Sequence, residues 1–168
     1  HGVELWRSDG STAGTTLVKD VNTITTDSTR VDFGYKIQFT EYSRQALFSA
    51  SSGNGAQGHE LWRTDGTAAG TILLADSVPG SGSTGPNELQ PLSRGVVYAG
   101  NTSSAGRELY LSDATTVGTG LLKDIRTGVI TGSPASGSPS SLAVLGDTVY
   151  FSASGDSASI PASNWLGI

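Results

Sequence analysis

The chain of 168 residues contains no cysteine. That excludes a disulfide framework, a thiolate zinc cluster and a thiol nucleophile. Methionine is absent too, even at position 1, as expected of a processed product or an excised fragment. Charged residues make up only 15% of the chain, and its Lys and Arg are scattered without a basic run. With a formal net charge of −5 and a pI near 4.8, the electrostatic footprint of nucleic-acid binding is missing. No stretch approaches the ~20 apolar residues of a membrane-spanning helix. No signal peptide is visible, although a mature chain would have lost one. Nor does any segment of ten or more residues carry helical periodicity.

What is there points one way. Glycine is abundant at 23 residues, and Ser and Thr fill the gaps between apolar clusters that bring the hydrophobic share to 36%. This profile suits many short strands joined by many turns. The length suffices for one domain with a real core, and the apolar clusters set the chain apart from a disordered one. Acidic, cysteine-free, Ser/Thr/Gly-rich composition also fits a secreted bacterial protein.

The chain repeats itself. "GVELWRSDGSTAGT" (2–15), "GHELWRTDGTAAGT" (58–71) and "GRELYLSDATTVGT" (106–119) align without a gap. Glu4, Glu60 and Glu108 coincide; so do Trp6, Trp62 and Tyr110, then Asp9, Asp65 and Asp113, then Gly14, Gly70 and Gly118. Each copy ends on an aspartate: Asp20, Asp76 and Asp124. A second block recurs between these as "FTEYSRQALFSA" (39–50), "LQPLSRGVVYAG" (89–100) and "LAVLGDTVYFSA" (142–153). The tail "SNWLGI" places Trp165 fourteen residues after Phe151, as Trp62 stands fourteen after Phe48. It reads as a degraded further start of the first block.

Each unit predicts four short strands, typified by "LAVL", "TVYFSA", "HELWRT" and "GTILLAD". All are rich in β-branched, aromatic and aliphatic residues and bounded by Gly, Ser, Asn or Asp. Four strands per unit of about 50 residues are the signature of a β-propeller blade. "TDGTAAGT" is then the hairpin between strands three and four. Its Asp caps turn amides, its Gly accepts a turn conformation, and Gly70 is expected to close the loop in a left-handed conformation. Trp62 supplies apolar surface between neighbouring blades.

"ELWRTDGTAAGT" resembles the ELWxTDGTxxGT repeats of large secreted or surface bacterial proteins. The resemblance implies a propeller, covers nearly the whole chain, and carries no activity with it. The hairpin is also similar in logic to the Asp-box of sialidase-type propellers, a structural turn. The third copy departs from the pattern, with Tyr110 for Trp, Leu111 for Arg and Ala114 for Gly, which weakens a shared role for Arg7 and Arg63. One all-β domain is expected over 1–168, with blade units at about 1–20 (partial), 37–76, 89–125 and 142–168 (partial). That is about three four-stranded blades, against the 4–8 of known propellers. Two expectations follow: a half-ring that closes as a homodimer, or a piece of a longer chain.

Sharp chemistry is hard to assemble. His1 and His59 could suggest a copper clamp, but His1 aligns with Gln57 and His59 with Val3, so neither copy builds a metal pair. Each Asp-Gly turn offers one carboxylate, where calcium needs several oxygen ligands. The repeated Glu4, Glu60 and Glu108 lie inside apolar strands and call for a hydrogen-bonded role, expected toward the adjacent blade. Three equivalent copies argue against an acid/base pair with split environments. With two histidines, both at a variable position, no Ser-His-Asp set forms. "GSGSTG" (80–85) has no following Lys or helix to cradle a phosphate. No catalytic residue, metal or cofactor is therefore assigned.

Binding, where present, belongs to variable loops on a repeated frame. These are 51–59, 101–107 and 154–163, with the longer linkers 21–36, 77–88 and 125–141 on the same side. The candidate ligand-binding residues are His59 and Arg107 at one equivalent position, the strand-end Asp20, Asp76 and Asp124, and Tyr35, which with Phe33 is the aromatic offer to a sugar. Asp9, Asp65, Asp113, Gly14, Gly70 and Gly118 are read as structural turn residues. The expectation is a secreted or cell-surface binding module for a carbohydrate or protein ligand. Its alternative is a structural or adhesive repeat array without a small ligand. A propeller hydrolase or lyase ranks last, for want of an acid/base constellation.

Overall fold

The computed structural model describes residues 4–21, 38–51 and 58–156. Among them the secondary structure is strand and turn without helix. The first strands are β1 (Leu5–Arg7) and β2 (Thr16–Lys19), an antiparallel pair. Next come β3 (Thr40–Tyr42), β4 (Gln45–Ser51), β5 (His59–Thr64) and β6 (Ile72–Ala75), which form one antiparallel sheet in chain order. The strands β7 (Asn87–Leu92), β8 (Gly95–Thr102), β9 (Gly106–Ser112) and β10 (Thr119–Lys123) form a second sheet of the same order. A small hairpin, β11 (Val129–Ile130) with β12 (Ser133–Pro134), precedes the last pair, β13 (Ser140–Leu145) and β14 (Thr148–Ser152). No sheet closes on itself among the described residues.

The sequence treats residues 125–141 as loop, and the β11–β12 hairpin inside them is a departure. Its turn residues Thr131 and Gly132 both have positive φ, at 50° and 83°. That conformation matches the twist of a two-residue hairpin, so even this short polar stretch pairs with itself.

The sheets stack face to face in chain order, and strand alternation explains how. Successive side chains of a strand point to opposite faces. In β4, Leu47 enters a core with Leu61, Leu74, Leu89, Val96, Tyr98 and Tyr110, which joins the two four-stranded sheets. Its neighbour Phe48 points the other way, packing with Trp62 against Leu5 of the first pair. The second sheet repeats this: Tyr98 and Tyr110 face back, while Val97 and Leu109 face forward onto Leu142. A sheet covered on both faces needs apolar residues at successive positions, which is why "ALFSA" and "VVYAG" read as continuous runs.

The registers agree as well. Phe48 lies opposite Trp62, and Tyr98 opposite Tyr110, the latter two stacked at 5.6 Å between ring centroids. Between strands three and four one extra residue interrupts each ladder: Val18, Leu74 and Leu122. Such a bulge bends the strand and re-aims a side chain; Leu74 enters the forward-facing core beside Leu61.

Candidate functional site

One rim of the stack carries the Asp-Gly hairpins. Asp65 Oδ1 accepts from the Thr67 amide (2.9 Å) and the Thr67 hydroxyl (2.7 Å). That hydroxyl oxygen accepts from the Gly70 amide (2.9 Å), and the Thr71 hydroxyl donates to the Thr67 carbonyl (2.7 Å). Asp9 makes the same bonds with Ser11, and Asp113 with Thr115, and each passes the chain on to Gly14 or Gly118. These bonds to the ionised form hold all three carboxyls below the usual aspartate range. For Asp65 and Asp113 the threonine hydroxyl is the main cause, and for Asp9 it is the Ser11 amide.

The glycines act differently from the expectation. Left-handed backbone falls on the residue after each aspartate, at Gly10 (φ 90°), Gly66 (φ 87°) and Ala114 (φ 67°), and not on Gly70 or its equivalents. Gly14, Gly70 and Gly118 are required for space: a Cβ at any of them would lie 2.0–2.1 Å from the aspartate carboxylate. The carboxylate thus folds over the glycine, and the turn holds its own acceptor at its centre.

The opposite rim gathers the other candidates. Antiparallel pairing sets the start of strand three beside the end of strand four, so His59, Glu60 and Asp76 share one end of the first full sheet, and Arg107, Glu108 and Asp124 the same end of the second. The His59 amide donates to Ser83 Oγ (2.9 Å) and its carbonyl accepts from the Gly85 amide (2.9 Å). Arg107 repeats both bonds, with Ser136 Oγ (3.0 Å) and the Ser138 amide (2.9 Å). The linkers therefore lie directly on this rim. At Gly106, before Arg107, a Cβ would come within 2.5 Å of the Ala135 carbonyl. The Arg107 guanidinium is engaged by Asn87 Oδ1.

Beneath these backbones sit the repeated glutamates. Glu60 is buried, and accepts from the Thr84 amide (2.8 Å) and the Thr84 hydroxyl. Glu108, also buried, accepts from the Ile125 amide (2.8 Å) and the Gly137 amide. Glu4 accepts from the Val21 amide (2.8 Å). Each glutamate thus ties down the linker that follows its own fourth strand, the segment that leads to the next sheet. The bond runs to the connection and not to the neighbouring sheet's strands. Burial pushes the Glu60 carboxyl up, against the pull of Thr84, and the nearby Asp76 adds to the rise. Asp76 and Asp124 are half-buried, and the enclosed Oδ1 of each accepts no hydrogen bond among the described residues. Asp20 is likewise half-buried at its strand end. These aspartates lie at the junction of strand and linker instead of forming an exposed row. Tyr35 and Phe33 lie outside the described residues, as do His1 and Trp165.

The sequence reading missed a set of side chains that bridge sheets. Gln38 exchanges two bonds with the Leu89 backbone (both 2.9 Å), and Glu88 accepts from the Leu142 amide (2.6 Å). Gln38 and Glu88 are equivalent residues, one before Phe39 and Leu89, so a repeated acceptor was there to be found. Asp147 accepts from the amide and hydroxyl of Ser93 (2.6 and 2.5 Å), linking the turns of consecutive first strands. Asp156 does the same for Thr127 (3.0 and 2.7 Å).

No group of three or more His, Asp or Glu able to hold a metal forms among the described residues. No helix there is long and apolar enough to cross a membrane. No family model, curated protein or solved structure matches the chain.

Proposed function

We propose that this chain is a propeller-type array of β-blades that serves as a secreted or cell-surface binding module, with a carbohydrate or a protein as ligand. The observation that carries the reading is a division of labour between the two rims. On the hairpin rim the repeated Asp, Ser, Thr and Gly residues spend their hydrogen bonds on one another. At the other rim the linkers differ in length and sequence between units while resting on the same serine and glutamate supports. A constant frame carrying variable segments is the arrangement on which binding surfaces are built. The His59 and Arg107 side chains stand at that rim, and Tyr35 would add a stacking surface for a sugar ring.

The test is a glycan array, with a parallel screen of extracellular proteins, run on the intact chain and on His59→Ala and Tyr35→Ala. Saturable binding to a defined ligand that either substitution weakens, with an unchanged melting temperature, supports the module. A well-folded chain that binds nothing in either screen refutes it. The second reading is a structural or adhesive array, favoured by the apolar surface at both ends of the stack, where Trp6 is 60% and Leu145 72% exposed.

A further inference from the structure

Glu60 and Glu108 stand at one place in the repeat and clasp their linkers through different partners. We infer that the two clasps respond oppositely to a proton: a neutral Glu60 keeps its linker in place, whereas a neutral Glu108 releases one of its bonds. The inference stands on the hydrogen-bond chemistry of the linkers and is independent of any ligand.

Thr84 and Gly137 play the same part in the two linkers. Each donates its amide to Oε1 of the preceding repeated glutamate, Thr84 to Glu60 (2.8 Å) and Gly137 to Glu108. Each also accepts on its carbonyl from the unit that follows, Thr84 from the Asn101 amide (2.8 Å) and Gly137 from the Ser154 amide (2.6 Å). One linker residue thus joins two consecutive units in both places. The difference lies at Oε2. In Glu108 it accepts from the Ile125 amide (2.8 Å). In Glu60 it pairs with the Thr84 hydroxyl (2.5 Å). A Cβ at Gly137 would lie 2.6 Å from Glu108 Oε2, so that linker residue brings no hydroxyl of its own.

An amide only donates, whereas a hydroxyl both donates and accepts. Both oxygens of Glu108 face an N–H. A carboxylic acid there would set its O–H against a donor and give up one bond inside a buried site. A neutral Glu60 keeps Oε1 for the Thr84 amide and donates from Oε2 to Thr84 Oγ1. The displaced hydroxyl hydrogen then needs an acceptor. The one left open in this unit is Asp76 Oδ1, buried and without a donor among the described residues. The titratable groups that act on Glu60 are Asp76, just past β6, and Tyr98 of β8. Burial keeps the Tyr98 hydroxyl neutral, so Asp76 is the charge of the two. The burial of Glu60 favours its neutral form most, and the Asp76 carboxylate adds to that preference.

Glutamine carries the pattern of a neutral carboxyl, one acceptor and one donor, at every pH. Glu60→Gln and Glu108→Gln, each in the whole chain at pH 7, therefore test the inference through amide hydrogen exchange read by NMR. Glu60→Gln is expected to leave exchange at Thr84 within about threefold of wild type. Glu108→Gln is expected to speed exchange at Gly137 and Ile125 by about tenfold or more. Equal acceleration in the two variants, or none in either, overturns the inference. Wild type gives a second reading that needs no substitution. As pH falls through the titration of the Glu60 side-chain carboxyl carbon, the Thr84 amide should stay protected, once its intrinsic exchange rate is divided out. Loss of that protection at the Glu60 midpoint overturns the inference. Thr84→Val isolates the hydroxyl: in that background Glu60→Gln should speed exchange at position 84 by about tenfold, and an unchanged rate would remove the hydroxyl from the account and overturn it. An empty ligand screen leaves all three results standing.

Discussion

Trp62 and Trp6 hold the same place in two copies of one motif, yet Trp62 is 8% exposed and Trp6 60%. Their local structures agree closely. Both stand in strand three, beside the same bulge, ahead of the same aspartate-centred hairpin. The difference is the neighbour. Behind Trp62 lies the β1–β2 pair, whose Leu5 packs on it; nothing described lies behind Trp6. The motif thus builds a strand with two apolar faces, and the stacking of sheets decides what those faces contribute.

The sharpest way to break this comparison is to truncate both indoles. Trp62→Ala should cost about 3–5 kcal/mol, as for other large-to-small core changes, and it also removes the Nε1–H bond to the Ala50 carbonyl (3.1 Å). Trp6→Ala should stay within about 0.5 kcal/mol. Urea unfolding followed by circular dichroism measures both, and equal losses would mean that the motif and not the seam sets the energy.

The glutamates give the next largest contrast. Glu60→Ala strands the Thr84 amide and hydroxyl at a buried site, and should cost about 3 kcal/mol. Glu4→Ala, at a half-buried site with the Val21 amide among its partners, should cost about 1 kcal/mol. If both linkers are held by the same means, hydrogen exchange should speed up at Thr84 in the first variant and at Val21 in the second.

A substitution that acts inside the hairpin should ignore the neighbour altogether. Gly70→Ala and Gly14→Ala each force a Cβ into the carboxylate, and each should cost about 1–3 kcal/mol, as overpacking does. Similar losses at the buried and the exposed copy would sharpen the comparison, since they would confine the neighbour's influence to the sheet faces.

The smallest effect is that of acid. The carboxyls of Asp9, Asp65, Asp113, Asp147 and Asp156 lie below the ordinary 3.8 because hydroxyl and amide donors stabilise their ionised forms. The folded chain binds fewer protons there than the unfolded one. Their contribution is therefore complete above 3.8 and lost as pH falls through the depressed folded values. Glu60 has the opposite sign. Burial raises its carboxyl above 4.5, so the folded chain takes that proton first, and this site gains stability as pH falls toward 4.5. Melting temperatures should hold or rise slightly from pH 7 to about 5, then drop below about pH 4. A steady decline from neutral pH would show other carboxylates in control.

Much of the frame was legible in the residues. The period of the motifs located the strands, since alternation and turn chemistry are local properties. The Asp-Gly turns were legible for the same reason, because Asp65 bonds a residue two positions ahead. Gly70 shows where local reasoning stops. Its need for glycine comes from the carboxylate of Asp65, five residues earlier, folded over it, and not from its own backbone angle. The strand-end aspartates are ligand-binding candidates by sequence, yet Asp76 keeps a buried Oδ1 close to the buried Glu60. The bridges made by Gln38, Glu88, Asp147 and Asp156 span 29 to 54 positions in the chain. Of these, only the equivalence of Gln38 and Glu88 in the repeat was legible in the sequence.

The sequence by itself determined the β character, the hairpins and the repeat of the strand motifs. Each of these arises from contacts within a few residues or between consecutive strands, where composition and period act directly. The tertiary structure alone decided which of two equivalent tryptophans is buried, which donors reach the repeated glutamates and which apolar faces stay open. Those outcomes depend on the sheet that lies against each face, and a repeated motif carries the same residues whether or not that sheet is there.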